Sequence, residues 1–236
     1  MNRIMLIIIM LTSICWADDK TQATTDRLDK SAEVLRQIMA APDEGSPEEV
    51  EKVIEHAKCV AVVPHMIKGG FVFGAQGGRG VVSCRTTAGR WSAPAFFAIS
   101  GGTWGLQIGV EGVELLMVVQ NDKGMEQMLS SKFQLGSDAS VAAGPVDRHA
   151  SADTDWKMMN AEILIYSRAK GVFAGLTLTG ADVRVDEDSM RTVYGRDVST
   201  RAVLEGAVPP PAQAHDFLNA IPQRKNRGSF EVSEER

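Results

Sequence analysis

The most regular hydrophobic pattern in the chain lies between residues 163 and 180. Apolar residues occupy every second position over 172–178, and a period of two is typical of a half-buried strand. The short apolar run 163–166 indicates a second strand. The polar segment 167–171 between them is predicted to be the turn of a β-hairpin.

Two basic residues, Arg168 and Lys170, lie within this predicted turn. Gly171 follows them and can adopt the positive φ that tight turns often need. The hairpin either forms part of the core of a β-rich domain or presents the two cations at a rigid tip to an anionic partner. The pattern alone does not choose between these interpretations.

A helical period appears nearer the N-terminus, over residues 24–41. The apolar residues Leu28, Leu35, Ile38 and Met39 recur at steps that place them on one face of an amphipathic helix. This face either packs on a core or inserts into a membrane. Ser46 and the proline after it then provide the N-cap and first turn of a second helix, which is predicted to end near Lys58.

The central part of the chain reads as short strands separated by glycines. We predict strands at 59–63, ended by Pro64, at 70–75 and at 80–85, with a hairpin turn at 76–79. Dense glycines within the strand-like sequence 95–112 indicate bends and close backbone contacts. The prediction is an α+β fold. It has a curved, mostly antiparallel β-sheet or barrel-like core, N-terminal helices and a C-terminal helix, in one domain over residues 24–222.

Residues 1–17 have the layout of a secretory signal peptide, with a positive start, an apolar run over 4–14 and small residues near residue 17. This layout predicts export to the periplasm or cell envelope. A retained membrane anchor and a lipid attached to Cys15 are the alternatives. The C-terminal residues 223–236 are charged, lack a core-forming pattern and are predicted to be disordered.

The chain has 236 residues and a formal net charge of −5. Removal of the signal segment leaves 24 basic against 30 acidic residues, because Arg3 is lost. A mildly acidic protein lacks the basic field of a nucleic-acid-binding protein. Cys59 and Cys84 remain after cleavage, and they either form a disulfide or act as buried apolar side chains.

No catalytic motif is present in the sequence. There is no phosphate-binding loop, dinucleotide fingerprint or nucleophile elbow, and the four histidines lack metal-ligand spacing. The acidic residues near Asp186 are predicted to form a solvated turn rather than a cation site. We therefore expect no enzyme activity, cofactor or metal.

Six sequence blocks resemble the SYLF domain family and occur in the family's order across roughly residues 30–222. They are AKCVAVVP (57–64), GFVFG (70–74), WSAP (91–94), GLQIG (105–109), SVAAGP (140–145) and YSRAKGVFAG (166–175). The resemblance implies binding of acidic phospholipid or phosphoinositide without catalysis. In fungal members it also implies actin binding, and in eukaryotic members membrane contact by an N-terminal amphipathic helix.

The resulting hypothesis is a non-catalytic, phospholipid-binding protein of the bacterial envelope. The alternative is a protein–protein scaffold that binds a partner or a second copy without lipid specificity. Apolar insertion is assigned to the helix face defined above, and charge contacts to basic residues at predicted turns. The candidate lipid-binding residues are Leu28, Leu35, Ile38, Met39, Lys68, Arg79, Arg168 and Lys170.

Overall fold

The computed structural model describes residues 2–40, 47–70, 73–104, 109–144, 160–169, 172–173, 178–195 and 198–224. Side chains are described from residue 19 onward, except for some near the gaps. Lys170 and the tail 225–236 therefore lie outside the described residues. The predicted cleavage after residue 17 and the predicted disorder of the tail stay predictions.

The two N-terminal helices and the C-terminal helix are present as the sequence predicts, although the first begins earlier than its amphipathic pattern. The described helices are α1 (Asn2–Ala40), α2 (Pro47–His56), α3 (Asp122–Leu129), α4 (Glu187–Tyr194), α5 (Thr200–Leu204) and α6 (His215–Ala220), with a 3-10 turn at Ala212–Ala214. The second helix starts at Pro47 as predicted. Within the described part of the chain, no helix is long and apolar enough to cross a membrane.

Nine strands form one curled sheet, which confirms the predicted α+β class. They are β1 (Cys59–Gly70), β2 (Phe73–Cys84), β3 (Ala95–Trp104), β4 (Gly109–Val119), β5 (Lys132–Gln134), β6 (Val141–Ala143), β7 (Ile163–Ala169), β8 (Val172–Phe173) and β9 (Asp182–Val185). The order is β5-β9-β3-β2-β1-β4-β7-β6, and β8 pairs with β7. Only the β6–β7 pair is parallel among the described strand pairs.

Two predicted strand ends are wrong. Pro64 does not stop β1, because the strand passes it through an irregularity in register between Val62 and His65. Proline lacks a backbone N–H, so it is tolerated where the ladder is interrupted. Residues 76–79 form no turn either, since they lie within β2 and pair with both neighbouring strands.

The helix α1 lies across this sheet and contacts β1 and β2 as well as α4 and α6. Both faces of the first half of β1 are apolar and buried, from Cys59 to Val63. The Cys59 sulfur is bonded to that of Cys84, which lies directly opposite on β2. Of the two alternatives for the cysteines, the structure contains the disulfide.

Candidate functional site

The apolar face of α1 packs on the protein itself. Leu28, Leu35 and Ile38 are buried in the main core cluster, and Met39 is half-buried against it. An amphipathic helix beside an apolar sheet gains most by covering that sheet. In this structure the predicted insertion face is therefore not available to a bilayer, and lipid contact through it would require α1 to leave the sheet.

A buried ion pair fixes the middle of α1 to the start of α4. Arg27 Nη1 donates to Asp186 Oδ2 at 3.0 Å, and the guanidinium lies 5.5 Å from the centre of the Phe96 ring. Asp186 is also the N-cap of α4, and Ser189 Oγ donates to it at 2.8 Å. The prediction that this carboxylate belongs to a solvated turn is wrong, because tertiary packing supplies its partners.

The pKa of Asp186 results from two opposing effects. Burial raises this pKa. Hydrogen bonds from Ser189 and Arg27 and the charge of Arg27 lower it by more in total, so the pKa of Asp186 lies below its ordinary value. Asp186 is therefore ionised at neutral pH. The charge and the hydrogen bonds together hold α1 and α4 against each other.

Arg168 does not project from a hairpin tip, so that prediction is wrong. The strand β7 continues through Ala169, and Arg168 stands opposite Glu114 on β4. Its Nε donates to Glu114 Oε2 at 2.7 Å, its Nη2 donates to the Gln37 side chain of α1, and only 10% of the side chain is exposed. Arg168 therefore links the sheet to α1.

The other two predicted cations lie in strands rather than at turns. Arg79 belongs to β2, and 64% of its side chain is exposed. Lys68 belongs to β1 and is half-buried, opposite Gln76. Because side chains alternate between the faces of a strand, Lys68 points to the other face of the sheet from Ile67. The structure therefore does not bring the predicted cations together.

A different set of cations is brought together by strand register. Arg79 stands opposite Ala98 of β3, Ala98 opposite Arg184 of β9, and Arg184 opposite Lys132 of β5. Directly opposite residues project to the same face, so Arg79, Arg184 and Lys132 form a row across the sheet, here called the basic row. At about 4.8 Å per strand the basic row spans about 14 Å.

All three cations of the basic row are exposed, and two of them have acidic neighbours. Lys132 Nζ lies 3.2 Å from Asp182 Oδ2, and Arg79 Nη1 lies 3.8 Å from Asp186 Oδ2. No ion pair of Arg184 occurs among the described residues. Since Asp186 already accepts from Arg27, the row keeps an uncompensated positive charge centred on Arg184.

An exposed apolar side chain lies beside the basic row. Ile67 is 50% exposed, and every other large apolar side chain that the structure describes is more deeply buried. On β1 it lies two residues beyond His65, which stands opposite Arg79. Ile67 and the basic row therefore share one face of the sheet. Sequence reasoning missed Ile67 because it ended β1 at Pro64, and it missed Arg184 and Lys132 because their strand pairing is not a local pattern.

The described residues offer no arrangement for metal chemistry. Nowhere in the described ranges do three His, Cys, Asp or Glu side chains lie close enough together to hold a metal ion. The nearby acidic residues are used otherwise: Asp182 pairs with Lys132, and Asp186 with Arg27. The exposed part of the sheet face that carries the basic row and Ile67 can bind an anionic or partly apolar surface.

Comparison with known proteins gives a consistent set of relatives. A family model described as Ysc84, Las17-binding protein actin regulator, matches residues 100–224, which is more than half of the chain. The SH3 domain-containing YSC84-like protein 1 of Rattus norvegicus is 33% identical over 195 residues, covering 81% of this chain and 57% of the rat protein. The human protein of the same name is 32% identical over 195 residues, covering 81% and 56%.

A fungal relative extends the comparison. Protein YSC84 of Saccharomyces cerevisiae is 29% identical over 199 residues, covering 83% of this chain and 42% of the yeast protein. The chain thus spans about half the length of the curated relatives that it matches.

Proposed function

The chain belongs to the Ysc84 (SYLF) family, and on that premise we propose that it is a non-catalytic binding protein that attaches to acidic phospholipid through the exposed basic row and Ile67. The observation that carries the proposal is the half-exposed Ile67 beside the basic row. An apolar side chain next to exposed cations suits the boundary between lipid headgroups and acyl chains.

The expected affinity of this face is modest. Each exposed cation contributes about 1 kcal/mol near an anionic membrane. The remaining burial of Ile67 adds about 1 kcal/mol. Together these give about 4 kcal/mol, which corresponds to a millimolar dissociation constant. Attachment through this face alone is therefore reversible.

Stable attachment requires a second contact with the membrane. The sequence offers two, the apolar run over residues 4–14 and a lipid on Cys15. Either would hold an exported protein at the periplasmic side of an envelope membrane, which is the location we propose. The net charge of −5 repels the rest of the surface from anionic lipid, so the basic row sets the orientation.

The proposal is tested by sedimenting the full chain with vesicles of phosphatidylcholine alone and of phosphatidylcholine mixed with phosphatidic acid. We expect binding to the anionic vesicles only. Replacing both Arg79 and Arg184 by Glu should reduce binding at least about tenfold, and Ile67→Ser should reduce it less. Lys30→Glu, at an exposed position of α1 that is not part of the row, makes the same kind of charge change and serves as the control. Equal binding by the double variant and the wild type would refute the proposal.

The alternative is a protein-binding module without lipid specificity. It is favoured by the description of the family as Las17-binding actin regulators and by the name of a yeast relative, LAS seventeen-binding protein 3. Sedimentation with actin filaments tests one such partner. Electrostatic binding to lipid weakens when salt is raised from about 0.05 to 0.5 M, whereas the affinity of an apolar protein interface changes little.

A further inference from the structure

A cavity of about 430 Å³ lies at the other end of β1 and β2, near the disulfide. It is formed by the end of α2, the start of β1, the turn after β2, the start of α3 and the chain that follows α6. Its ionisable lining residues are His56, Lys58, Arg85, Asp122 and Arg224. This concentration of basic groups contrasts with the net charge of −5 of the whole chain.

Arg85 forms the fixed wall of the cavity. It donates to the backbone oxygens of Ala57, Glu55 and Gly89, each at 3.2 Å, and stacks 4.1 Å from the centre of the Trp91 ring. Two of these oxygens lie at the end of α2, where the helix dipole would repel an anion. The guanidinium of Arg85 offsets the negative end of α2 and is part of the cavity lining.

Arg224 brings a second guanidinium towards Arg85. The pKa of Arg85 lies below its ordinary value, first because of burial and then because of the charge of Arg224, with Glu55 acting in the opposite direction. No ion pair of Arg224 is found in the part of the chain that the structure describes. The two guanidinium groups repel each other, and an anion bound between them would replace that repulsion by attraction.

The remaining cations add to the same surface. Lys58 Nζ lies 2.7 Å from Asp122 Oδ1, but the Asp122 side chain is 85% exposed and can be released to solvent. A neighbouring cavity of about 280 Å³ shares His56 and adds Lys52. Basic groups therefore approach the cavity from several segments of the chain.

We propose that this cavity is a binding site for a phosphate group, held by Arg224 and Lys58 against the fixed guanidinium of Arg85. Arginine and lysine are the usual ligands of phosphate, and the volume is that of a small-molecule site. The site is about 23 Å from His65 along β1, so it is separate from the basic row and does not depend on the function proposed above. The phosphate belongs either to a soluble compound or to a lipid headgroup.

The test measures binding of pyrophosphate to the full chain by titration calorimetry at constant ionic strength. We expect the wild type to bind and Arg224→Glu to bind about tenfold more weakly, with a smaller loss in Arg224→Gln and a similar loss in Lys58→Glu. Lys30→Glu and Arg184→Glu should bind like the wild type. Arg224 lies at the end of the described chain, and thermal unfolding of each variant verifies that the fold is kept.

The same variants in the vesicle assay identify the source of the phosphate. Loss of pyrophosphate binding in Arg224→Glu, with unchanged binding to phosphatidic acid vesicles, assigns the cavity to a soluble phosphate compound. Loss of both assigns it to a lipid headgroup. Absence of pyrophosphate binding in the wild type, or equal binding by Arg224→Glu, overturns the proposal. If the double variant Arg79→Glu/Arg184→Glu binds vesicles as well as the wild type does, only the function proposed for the basic row is refuted, and the cavity proposal stands.

Discussion

The two halves of β1 have similar strand geometry but different surroundings. From Cys59 to Val63 every side chain is buried, because α1 and the curled sheet cover both faces. Beyond Pro64 the strand continues to Gly70, yet Ile67 is half exposed and His65 is exposed. Coverage by a helix, rather than strand formation, separates the half of the strand that stabilises the fold from the half that is free to bind.

The largest expected effect comes from releasing α1 from the covered half. Asp186→Ala removes the N-cap of α4 and leaves Arg27 buried without its partner. Breaking one side of a buried ion pair typically lowers the free energy of unfolding by about 3–5 kcal/mol. Arg36→Ala, also on α1, removes a half-exposed ion pair with Asp216 of α6, and we expect it to lower the free energy of unfolding by at most about 1 kcal/mol. Denaturation in urea measures both, and similar losses would contradict the role given to Arg27.

The next effect compares two apolar side chains directly. Leu35→Ala opens a cavity in the covered half and should cost about 2–5 kcal/mol. Ile67→Ala should change stability by less than about 0.5 kcal/mol, because half of the side chain already contacts water. Guanidinium unfolding of the two variants measures the difference. A large loss of stability in Ile67→Ala would mean that the uncovered half is part of the core.

Two glycines near the two halves of β1 should differ in the stability cost of adding a side chain. A Cβ at Gly80 would overlap the backbone oxygen of Val62 and approach the Phe97 ring at 2.6 Å. Gly80→Ala should therefore cost about 1–3 kcal/mol. At Gly102 the nearest atom is the Gly74 oxygen at 4.0 Å, so Gly102→Ala should be neutral or stabilise by up to about 1 kcal/mol. Thermal unfolding measures the stability of both variants. If Gly102→Ala were the less stable of the two, the close contacts described for Gly80 would be contradicted.

The smallest effect is a pH dependence. Because the pKa of Asp186 is lower in the folded chain than in the unfolded one, its stabilising contribution is complete above the unfolded value of about 4. It is lost as pH falls through the lower folded value. Unfolding free energies at a series of acidic pH values should therefore fall less steeply for Asp186→Asn than for the wild type. Identical slopes would show that folding does not lower the pKa of Asp186.

Much of the fold could be predicted from the sequence because periodicity is a local property. The face formed by Leu28, Leu35 and Ile38 and the start of α2 at Pro47 are local patterns, and both are present. The strand ends at Pro64 and at residues 76–79 were wrong because cross-strand pairing overrode local turn preference. A proline in a register irregularity and glycines within a long strand look like turns when the partner strands are unknown.

The binding surfaces were less predictable. Arg79 is exposed but lies within β2 rather than at the predicted turn, and Arg168 is buried by its partners Glu114 and Gln37 rather than presented at a hairpin tip. Arg184 and Lys132 are separated by about fifty residues in sequence and become neighbours only through the β5–β9 register. No local pattern contains that information.

The sequence by itself determined the membership in the Ysc84 family, the α+β class and the amphipathic character of α1, because each depends on the order of residues along the chain. Tertiary structure alone decided what that amphipathic face covers, which cations remain exposed and which are paired. Charge pairing and burial are properties of surfaces that meet through the fold. For that reason the basic row and the cavity near Arg224 emerge only when distant strands and chain ends are placed side by side.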